Sequence, residues 1–336
     1  MSFDIENRKK NHVDICLAGE VGHKRSAGFD KYSLVHSALP EMEFTKIDTR
    51  VQFLGKGLSM PLIISGMTGG TKLSHKINTN IAIAAEKCGV AFGVGSQRIA
   101  IEKGDISSFE VRRHARNTII LANLGAVQLN YGFGLKECKM AVDMIKADAL
   151  VLHLNPLQEV IQDGNTDFSG LKEKIRAIAK GLGVPIIVKE VGFGISGKVA
   201  DMLKDAGVYG IDVSGSGGTN WALIESKLAK EPQKSLGELF SSWGIPTTEC
   251  LNMCKGKGLF LIAGGGIKNG YDGAISIVLG ADYFTAAKPF LEAATKSPEE
   301  VVSMIEKFRL ELKTAMFCSG SKDILSLKKA EIRQAF

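Results

Sequence analysis

The chain has few cysteines, no long apolar segment and no grouping of residues typical of a metal site. Its six cysteines lie far apart except for Cys250 and Cys254, and no second pair or histidine cluster completes a zinc site. No apolar run approaches the roughly 18 residues that a membrane span needs. Residues 1–10 are polar and hold no apolar signal region. We therefore expect a cytoplasmic protein with reduced thiols and no membrane partner.

Charge of one sign is not in large excess either. Lysine and arginine number 42 against 36 aspartates and glutamates, a formal net charge of +6. No Lys/Arg-rich block is interleaved with aromatic residues, which argues against a nucleic-acid partner. The local cluster Arg8-Lys9-Lys10 still offers positive charge to a small anionic substrate. Hydrophobic residues at 45% and charged residues at 23% are ordinary for a soluble globular enzyme.

Eight short apolar runs recur along the chain, with helix-length stretches such as residues 73–87 and 136–146 between them. Runs this short and rich in Val, Ile and Leu are typical of strands buried on both faces. Eight such units predict an α/β fold, a closed (β/α)₈ barrel, whose chemistry lies at the carboxyl ends of its strands. The runs are residues 61–66, 90–95, 119–125, 149–155, 185–191, 210–214, 259–264 and 282–286.

The chain is longer than the roughly 250 residues of a simple barrel, so we predict one domain with extensions. Residues 1–57 form an N-terminal extension, 58–318 the barrel, and 319–336 a tail with one more helix. The extension includes an early basic helix around residues 8–12. Either the extension is a plug over the bottom of the barrel, or its basic helix folds over the catalytic rim. The longest unit follows strand 6 and has the length of a lid. Ser297 and Glu300, with Pro298 between them, predict the start of the last long helix.

Glycine-rich segments follow several strands. Gly264-Gly265-Gly266 after strand 7 and Ala286-Ala287 after strand 8 place free backbone amides where barrels bind a phosphate group. The alternative is that both segments are only tight turns of the backbone and bind no ligand. The segment 192–197 has the spacing of a dinucleotide fingerprint, but no acidic residue ends the next strand at the required distance. We therefore favour phosphate binding at strands 7 and 8 and disfavour a dinucleotide site at strand 5.

Polar and charged side chains also collect at strand ends. Lys189 ends strand 5, where it either neutralises an anionic ring or phosphate or pairs with a neighbouring carboxylate. His153, Asn155, Gln158 and Glu159 follow strand 4, and Glu159 is suited to hold Mg²⁺ together with phosphate oxygens. Arg98 follows strand 2 and either binds an oxyanion or forms an ion pair with Glu102 one turn later.

These motifs together resemble the type 2 isopentenyl-diphosphate isomerases. The resemblance runs in order from about residue 7 to 320, and the string His-Leu-Asn-Pro-Leu-Gln-Glu at 153–159 is highly specific to that family. The glycine loops alone indicate only the wider group of FMN-binding barrels. The matching segments are Arg8-Lys9-x-x-His12 and residues 67–70, 95–98, 123–125, 153–159, 189–192, 217–221 and 265–267.

The resemblance implies interconversion of isopentenyl and dimethylallyl diphosphate with reduced FMN, Mg²⁺, and NADPH as reductant. It implies catalytic roles for Gln158, His153 and Lys189, and a metal role for Glu159. Substrate contacts are implied for Arg8, Lys9, Ser96, Gln97, Arg98, His153, Asn155 and Gln158. FMN contacts are implied for Gly66, Met67, Thr68, Ser96, Asn123, Lys189, Ser214, Thr219, Gly265, Gly266, Ile267, Ala286 and Ala287.

The chain departs from the family pattern at two places. Gly264 stands where relatives commonly carry Ser, and Thr285-Ala286 stands where a Gly-Met pair is common. Both changes keep the loop small, so they bear on single contacts and not on flavin binding. The resemblance also implies a homo-oligomer, a tetramer or octamer, and a role for His12 in closing the basic helix over the site.

Two other classes of function, an FMN oxidase and a binding protein without catalysis, agree less well with the sequence than the isomerase. An FMN oxidase of small hydroxy acids needs a histidine base and an arginine clamp near the end of strand 6 or 7, and those ends read Ser214-Gly215-Ser216 and Gly264-Gly265-Gly266. A barrel that only binds is disfavoured because His153, Gln158, Glu159 and Lys189 are all present. The isomerase is the favoured interpretation.

Overall fold

A closed barrel of eight parallel strands forms the centre of the protein in a computed structural model, which describes residues 5–19 and 21–334. Each predicted run contains one barrel strand, so the predicted (β/α)₈ fold is confirmed. The strand order around the barrel is β4-β5-β6-β7-β8-β9-β10-β11, closing on β4. The strands are β1 Tyr32–Leu34, β2 Val51–Phe53, β3 Lys56–Leu58, β4 Leu62–Ile64, β5 Ala91–Gly93, β6 Ile120–Gly125, β7 Ala149–His153, β8 Ile186–Lys189, β9 Gly210–Asp212, β10 Phe260–Ala263, β11 Tyr283–Ala286 and β12 Ile332–Gln334.

Helices surround the barrel and also cover one of its ends. They are α1 Ile5–Ala18, α2 Lys72–Cys88, α3 Arg98–Lys103, α4 Leu135–Ile145, α5 Pro156–Ile161, α6 Leu171–Gly181, α7 Gly197–Asp205, α8 Trp221–Leu228, α9 Gln233–Leu239, α10 Thr247–Cys254, α11 Gly270–Val278, α12 Lys288–Lys296, α13 Pro298–Cys318 and α14 Ile324–Leu327. Short 3₁₀ helices lie at Phe29–Lys31, Phe44–Lys46, Ser107–Phe109, Ala126–Asn130 and Phe240–Ser242. In the described part of the chain, no helix has both the length and the hydropathy required to cross a bilayer.

Local signals in the sequence explain where several helices begin and end. The hydroxyl of Thr71 accepts a hydrogen bond from the backbone amide of Ser74 at the start of α2, and Gly89 ends that helix in the left-handed conformation. Ser297 accepts from the amide of Glu300, with Pro298 in the first helical turn, as predicted for α13. The tail contains the expected short helix, α14, and also a strand that the sequence analysis missed: β12 pairs antiparallel with β1.

The barrel interior is apolar toward the amino ends of the strands. Inward side chains such as Ile63, Val151 and Ile187 form one cluster with Phe53 and Leu58 of the β2–β3 hairpin. Phe53 also contacts the rings of the first residues of β10 and β11, with centroid distances of 5.0 Å and 4.9 Å. The hairpin therefore closes the amino-terminal end of the barrel.

Helix α1 lies at the opposite end. The Lys9 ammonium donates to the carbonyl oxygen of Ser96, just past β5, at 3.0 Å, and the Arg8 guanidinium contacts Glu225 on α8 at 2.7 Å. Both positions follow the carboxyl ends of barrel strands. The two alternatives left open for the extension thus apply to different segments, since residues 51–58 form the plug and the basic helix covers the rim. The domain limits at 57/58 and 318/319 remain predictions, and residues 1–4 and 335–336 lie outside the described residues.

We expect the Phe53→Ala variant to lower the free energy of unfolding by about 3–5 kcal/mol, because it leaves a cavity under the barrel. Phe53 is 1% exposed. The control is Leu39→Ala, because Leu39 is 76% exposed and its truncation leaves no cavity. Urea denaturation followed by circular dichroism measures both. A loss below about 1 kcal/mol for Phe53→Ala would show that the hairpin does not plug the barrel.

Candidate functional site

The carboxyl-terminal mouth of the barrel is where its interior becomes polar. Ser65, Asn123, Lys189, Asp212 and Thr285 line one cavity together with Gly66 and, at its floor, the apolar side chains of Ile63, Leu121, Val151, Ile187 and Ile262. Because inward side chains recur at every second residue of a strand, five separate strands contribute to this ring. The mouth combines a charged wall with an apolar floor, which suits a flat ring system that carries some charge.

His153 ends β7 beside this ring. Its Nδ1 lies 2.8 Å from Oδ1 of Asn123, and since that oxygen can only accept, Nδ1 carries the proton and Nε2 keeps its lone pair. Burial, together with the positive charges of Lys189 and Lys9, lowers the pKa of His153 to about 3. The imidazole is therefore neutral near pH 7, and it presents a hydrogen-bond acceptor instead of a cation.

Lys189 ends β8 and points into the cavity. Its ammonium donates to the carbonyl oxygen of Glu190 at 2.6 Å. Burial lowers the pKa of Lys189, while the carboxylates of Asp212 and Glu190 act to raise it. In the register of the sheet Lys189 lies directly beside Asp212 of β9. Lys189 thus faces the mouth and has a carboxylate as its neighbour, which combines the two alternatives considered for it.

The loop with dinucleotide-like spacing is filled by the protein itself. One carboxylate oxygen of Glu190 accepts hydrogen bonds from the amides of Val191 and Gly192, both at 2.7 Å, and also from those of Phe193 and Gly194. An oxygen held in this nest leaves no place for a phosphate. The geometry therefore argues against a dinucleotide site after the fifth barrel strand, β8, in agreement with the sequence.

The glycine loops after β10 and β11 form the opposite wall. In the described structure, the backbone amides of Gly265, Gly266 and Ile267 donate no hydrogen bond within the protein. Gly265 and Gly266 have φ angles of 95° and 73°, and a Cβ on Gly265 would lie 2.1 Å from the carbonyl oxygen of Gly215. Ala287 precedes the first turn of α12. Backbone amides without a partner at adjacent strand ends are suited to hold a phosphate group, so we call these loops the glycine cradle.

A second polar cluster lies on the short helix α5. The amide nitrogen of Asn155 donates to Glu159 at 2.8 Å and to Gln158 at 3.2 Å, while its Oδ1 is buried without a partner in the described structure. Glu159 also accepts from the backbone amide of Asn165 at 2.6 Å. The strand ends at His153, and Asn155 occupies the N-cap position of α5 without a side-chain capping hydrogen bond.

Helix α1 adds the positive charge. Lys9 lies close to Arg98, and burial followed by the repulsion of Arg98 lowers the pKa of Lys9 to about 8. Arg98 forms the predicted alternative ion pair with Glu102 at 2.7 Å. Two neighbouring cations with one partly exposed carboxylate as their counter-charge favour the binding of a further anion.

Glu225 is a site residue that the sequence analysis missed. This buried carboxylate accepts from Arg8 and from Nε2 of Gln158, each at 2.7 Å, and Nε2 of His12 lies 3.2 Å from it. It joins the rim helix to the α5 cluster. The sequence does carry a signal for this residue. Glu225 directly follows the apolar residues 221–224 that begin α8, and a carboxylate buried beside them needs hydrogen-bond or charged partners.

Other predicted residues have varied surroundings. Thr68 is buried with its hydroxyl against Ser74, Met67 and Ile267 pack into the core, and Ser96 contributes a carbonyl oxygen to Lys9. Thr219 pairs with Gly22 in the segment after α1.

Gln97 requires a correction, since its amide is fully buried between the backbone of Ala141 and that of Asn123, away from the mouth. It has no free donor for a substrate and is not retained as a substrate contact.

Comparison with known proteins defines the class first. The family model of FMN-dependent dehydrogenases matches residues 6–106 and 153–334. A mandelate oxidase structure with (S)-2-phenylpropionate aligns with a TM-score of 0.68 at 17% identity, covering 98% of each chain. A mandelate oxidase variant with a monooxide FMN adduct aligns with a TM-score of 0.67 at 16% identity, covering 98% of this chain and 100% of the other. The protein is an FMN-dependent (β/α)₈ barrel.

Its relatives are more specific. The chain is 46% identical to the isopentenyl-diphosphate delta-isomerase of Rickettsia bellii strain RML369-C, over 98% of both chains. It is 44% identical to that of Nostoc sp., over 97% of this chain and 95% of the relative, and 44% identical to that of Oceanobacillus iheyensis, over 98% and 96%. The chain belongs to the isopentenyl-diphosphate delta-isomerase family.

We expect Glu225→Gln to lower the free energy of unfolding by about 1–3 kcal/mol at neutral pH. Burial opposes ionisation of Glu225, but His12, Arg8 and Gln158 outweigh it and hold its pKa below the ordinary 4.5. The stabilisation is therefore complete above pH 4.5 and disappears as the pH falls through the lower folded value.

Denaturant titrations from neutral to acidic pH measure this difference. Glu173→Gln is the matched control, because Glu173 is exposed and pairs only with Arg176 among the described ion pairs, so its loss changes unfolding by less than about 0.5 kcal/mol. A Glu225→Gln effect that stays constant down to the acid limit would rule out an ionised Glu225.

Proposed function

We propose that this protein interconverts isopentenyl and dimethylallyl diphosphate by protonation and deprotonation, in a redox-neutral reaction that uses reduced FMN, Mg²⁺, and NADPH as reductant. One observation carries the proposal. The polar ring of Asn123, His153, Lys189 and Asp212, the glycine cradle and the basic helix α1 all meet at one mouth of the barrel. The mouth would therefore hold an anionic ring next to an anionic phosphate tail, and the chain belongs to that isomerase family.

The residues at the mouth fit FMN. The amides of Gly265, Gly266 and Ala287 would hold its phosphate, while Gly66, Asn123 and Lys189 would surround its ring. Thr68, Ser96, Ser214, Thr219 and Ala286, which stand near the same strand ends, complete the proposed flavin contacts. The Lys189 ammonium would favour a reduced ring that carries negative charge.

The residues also fit a diphosphate with Mg²⁺. Arg8, Lys9 and Arg98 would bind phosphate oxygens, which relieves the repulsion between Lys9 and Arg98. The unpartnered Oδ1 of Asn155 and the carboxylate of Glu159, which accepts from Nδ2 of the same Asn155, are both hard oxygen ligands. Mg²⁺ is usually held by one or two carboxylates plus water and substrate phosphate. In the described residues no group of three or more His, Cys, Asp or Glu could hold a metal ion by itself.

Moving an unactivated double bond needs a proton added at one carbon and removed from another. Reduced FMN, when bound, would supply that acid and base at the reacting carbons. His153 is neutral and would orient substrate or ring through Nε2, and Gln158 would do so from α5. The diphosphate contacts supply binding energy far from the reacting carbons, and this energy positions them.

The shared fold does not favour an oxidase of the mandelate type. Such chemistry needs a base and a carboxylate clamp at the ends of strand 6 or 7. β9 is followed by Val213 and Ser214, whose hydroxyl is bonded to Asp212, and β10 is followed by three glycines. A cytoplasmic location and a homo-oligomeric state, a tetramer or octamer, remain part of the proposal.

The purified protein should be yellow, should release FMN and not FAD on denaturation, and should convert isopentenyl diphosphate to dimethylallyl diphosphate when given FMN, NADPH and Mg²⁺. Product analysis by mass spectrometry with chromatography measures the conversion. Mandelate or lactate in place of the diphosphate should yield no product. A colourless protein that FMN does not reconstitute would overturn the proposal.

Glu159→Gln should raise the Mg²⁺ concentration needed for half-maximal activity and weaken diphosphate binding, with little change in flavin content, because it removes a charged metal ligand and keeps the side-chain shape. Activity titrated with Mg²⁺ and flavin absorbance measure the two effects. Glu173→Gln serves as control. If flavin is lost while the Mg²⁺ requirement is unchanged, Glu159 is structural.

A further inference from the structure

Asp212 is a buried carboxylate to which neither the sequence motifs nor the proposed reaction assigns a role. It is 4% exposed, ends β9 and lines the mouth cavity together with Lys189. In an otherwise apolar barrel interior a carboxylate is costly unless it has partners. Its surroundings are therefore informative.

Three neighbouring segments are shaped around this carboxylate. Both the backbone amide and the hydroxyl of Ser214 donate to its Oδ1, at 3.0 Å and 2.9 Å, and Ser214 adopts a φ of 35°. The hydroxyl of Thr285 on β11 donates to Oδ2 at 3.3 Å. Just past β10, which lies between β9 and β11, a Cβ at Gly264 would lie 2.1 Å from Oδ1, so a larger residue there would require this carboxylate to shift.

We propose that Asp212 is a positioning residue that keeps Lys189 protonated and directed into the barrel mouth, where the ammonium serves the flavin ring. Lys189 and Asp212 are register partners on adjacent parallel strands, and their side chains face the same cavity. Burial raises the pKa of Asp212, while the charge of Lys189 and the hydrogen bonds from Ser214 and Thr285 act to lower it and favour the carboxylate. The flavin role rests on the proposed function, while the pairing of the two charges does not.

The charge balance explains why a partner is needed. Burial lowers the pKa of Lys189, and the neighbouring carboxylates of Asp212 and Glu190 oppose that. One carboxylate oxygen of Glu190 accepts from four backbone amides of its own loop, and burial raises the pKa of Glu190 to about 7. His153 on the other neighbouring strand is neutral and contributes no negative charge. Among the described residues on β7, β9 and the loop after β8, Asp212 is thus the carboxylate that can balance the charge of Lys189.

The test measures Lys189 directly in the protein as purified. NMR of the lysine side-chain nitrogen and adjacent carbon, with the Lys189 signal assigned by its loss in Lys189→Met, gives its protonation midpoint. We expect Asp212→Asn to lower this midpoint by about one pH unit or more. Asp282→Asn is the matched control, since Asp282 lies at the other end of the barrel and binds Lys328. It should leave the midpoint unchanged.

The flavin midpoint potential supplies a readout whose sign distinguishes the alternatives. If Asp212 keeps Lys189 charged, Asp212→Asn removes the cation that stabilises reduced flavin, and the potential at pH 7.5 falls. If Asp212 acts only through its own negative charge or through structure, its removal raises the potential or leaves it unchanged. An unchanged Lys189 midpoint, or a raised potential, overturns the proposal.

Thr285→Val keeps the experiment decisive if Asp212→Asn does not fold. It removes one donor to Asp212 and retains the side-chain shape, so Lys189 should shift in the same direction by a smaller amount, and no shift would overturn the inference. A protein that binds no FMN contradicts the proposed function, yet the NMR midpoints still decide whether Asp212 and Lys189 form the pair.

Discussion

Closure of the eight-stranded parallel barrel is the constraint on which everything else depends. A closed parallel sheet buries one face of every strand inside a narrow cylinder, where apolar side chains such as Ile63 and Ile187 fill the space. Charged side chains are tolerated only where the cylinder opens. The β2–β3 hairpin seals the amino-terminal opening with Phe53. The carboxyl-terminal mouth is therefore the place where Lys189 and Asp212 can approach each other within reach of a ligand.

The fold alone does not set the reaction at the mouth. Mandelate oxidases superpose on nearly the whole chain at 17% identity or less in the structures compared. A fold shared this widely is compatible with many reactions, so the reaction depends on a few residues. In this chain the residues proposed for that role include a neutral His153, the α5 cluster around Glu159, and the rim helix α1, which Glu225 joins to that cluster. The buried carboxylate of Glu225 thus connects α1 to α5.

Much of the site could be predicted because its residues lie next to strand ends in the sequence. His153, Lys189 and the glycines at 264–266 all directly follow or end apolar runs, and parallel strands bring such ends to one edge. Gln97 has the same sequence context, yet its amide turns outward to Ala141. Side-chain direction at a loop depends on the backbone torsion there, and no periodicity encodes that torsion. The short strands β1 and β12 were missed for a related reason, since they are three residues each and separated by nearly the whole chain.

By itself, the sequence determined the number of barrel strands, the position of the glycine cradle and the membership of a flavin-dependent class. These features depend on local hydrophobic pattern and on residues adjacent in the chain. Only the tertiary structure decided that residues 51–58 plug one end while α1 covers the other, that Glu190 fills the loop resembling a dinucleotide motif, and that Asp212 lies beside Lys189. The plug, the cover and the Lys189–Asp212 neighbourhood are contacts between separate segments, whereas Glu190 bonds to amides of its own loop in a torsional arrangement that no sequence pattern encodes. Such contacts arise from the free energy of satisfying buried charges and filling buried volume once the barrel has closed.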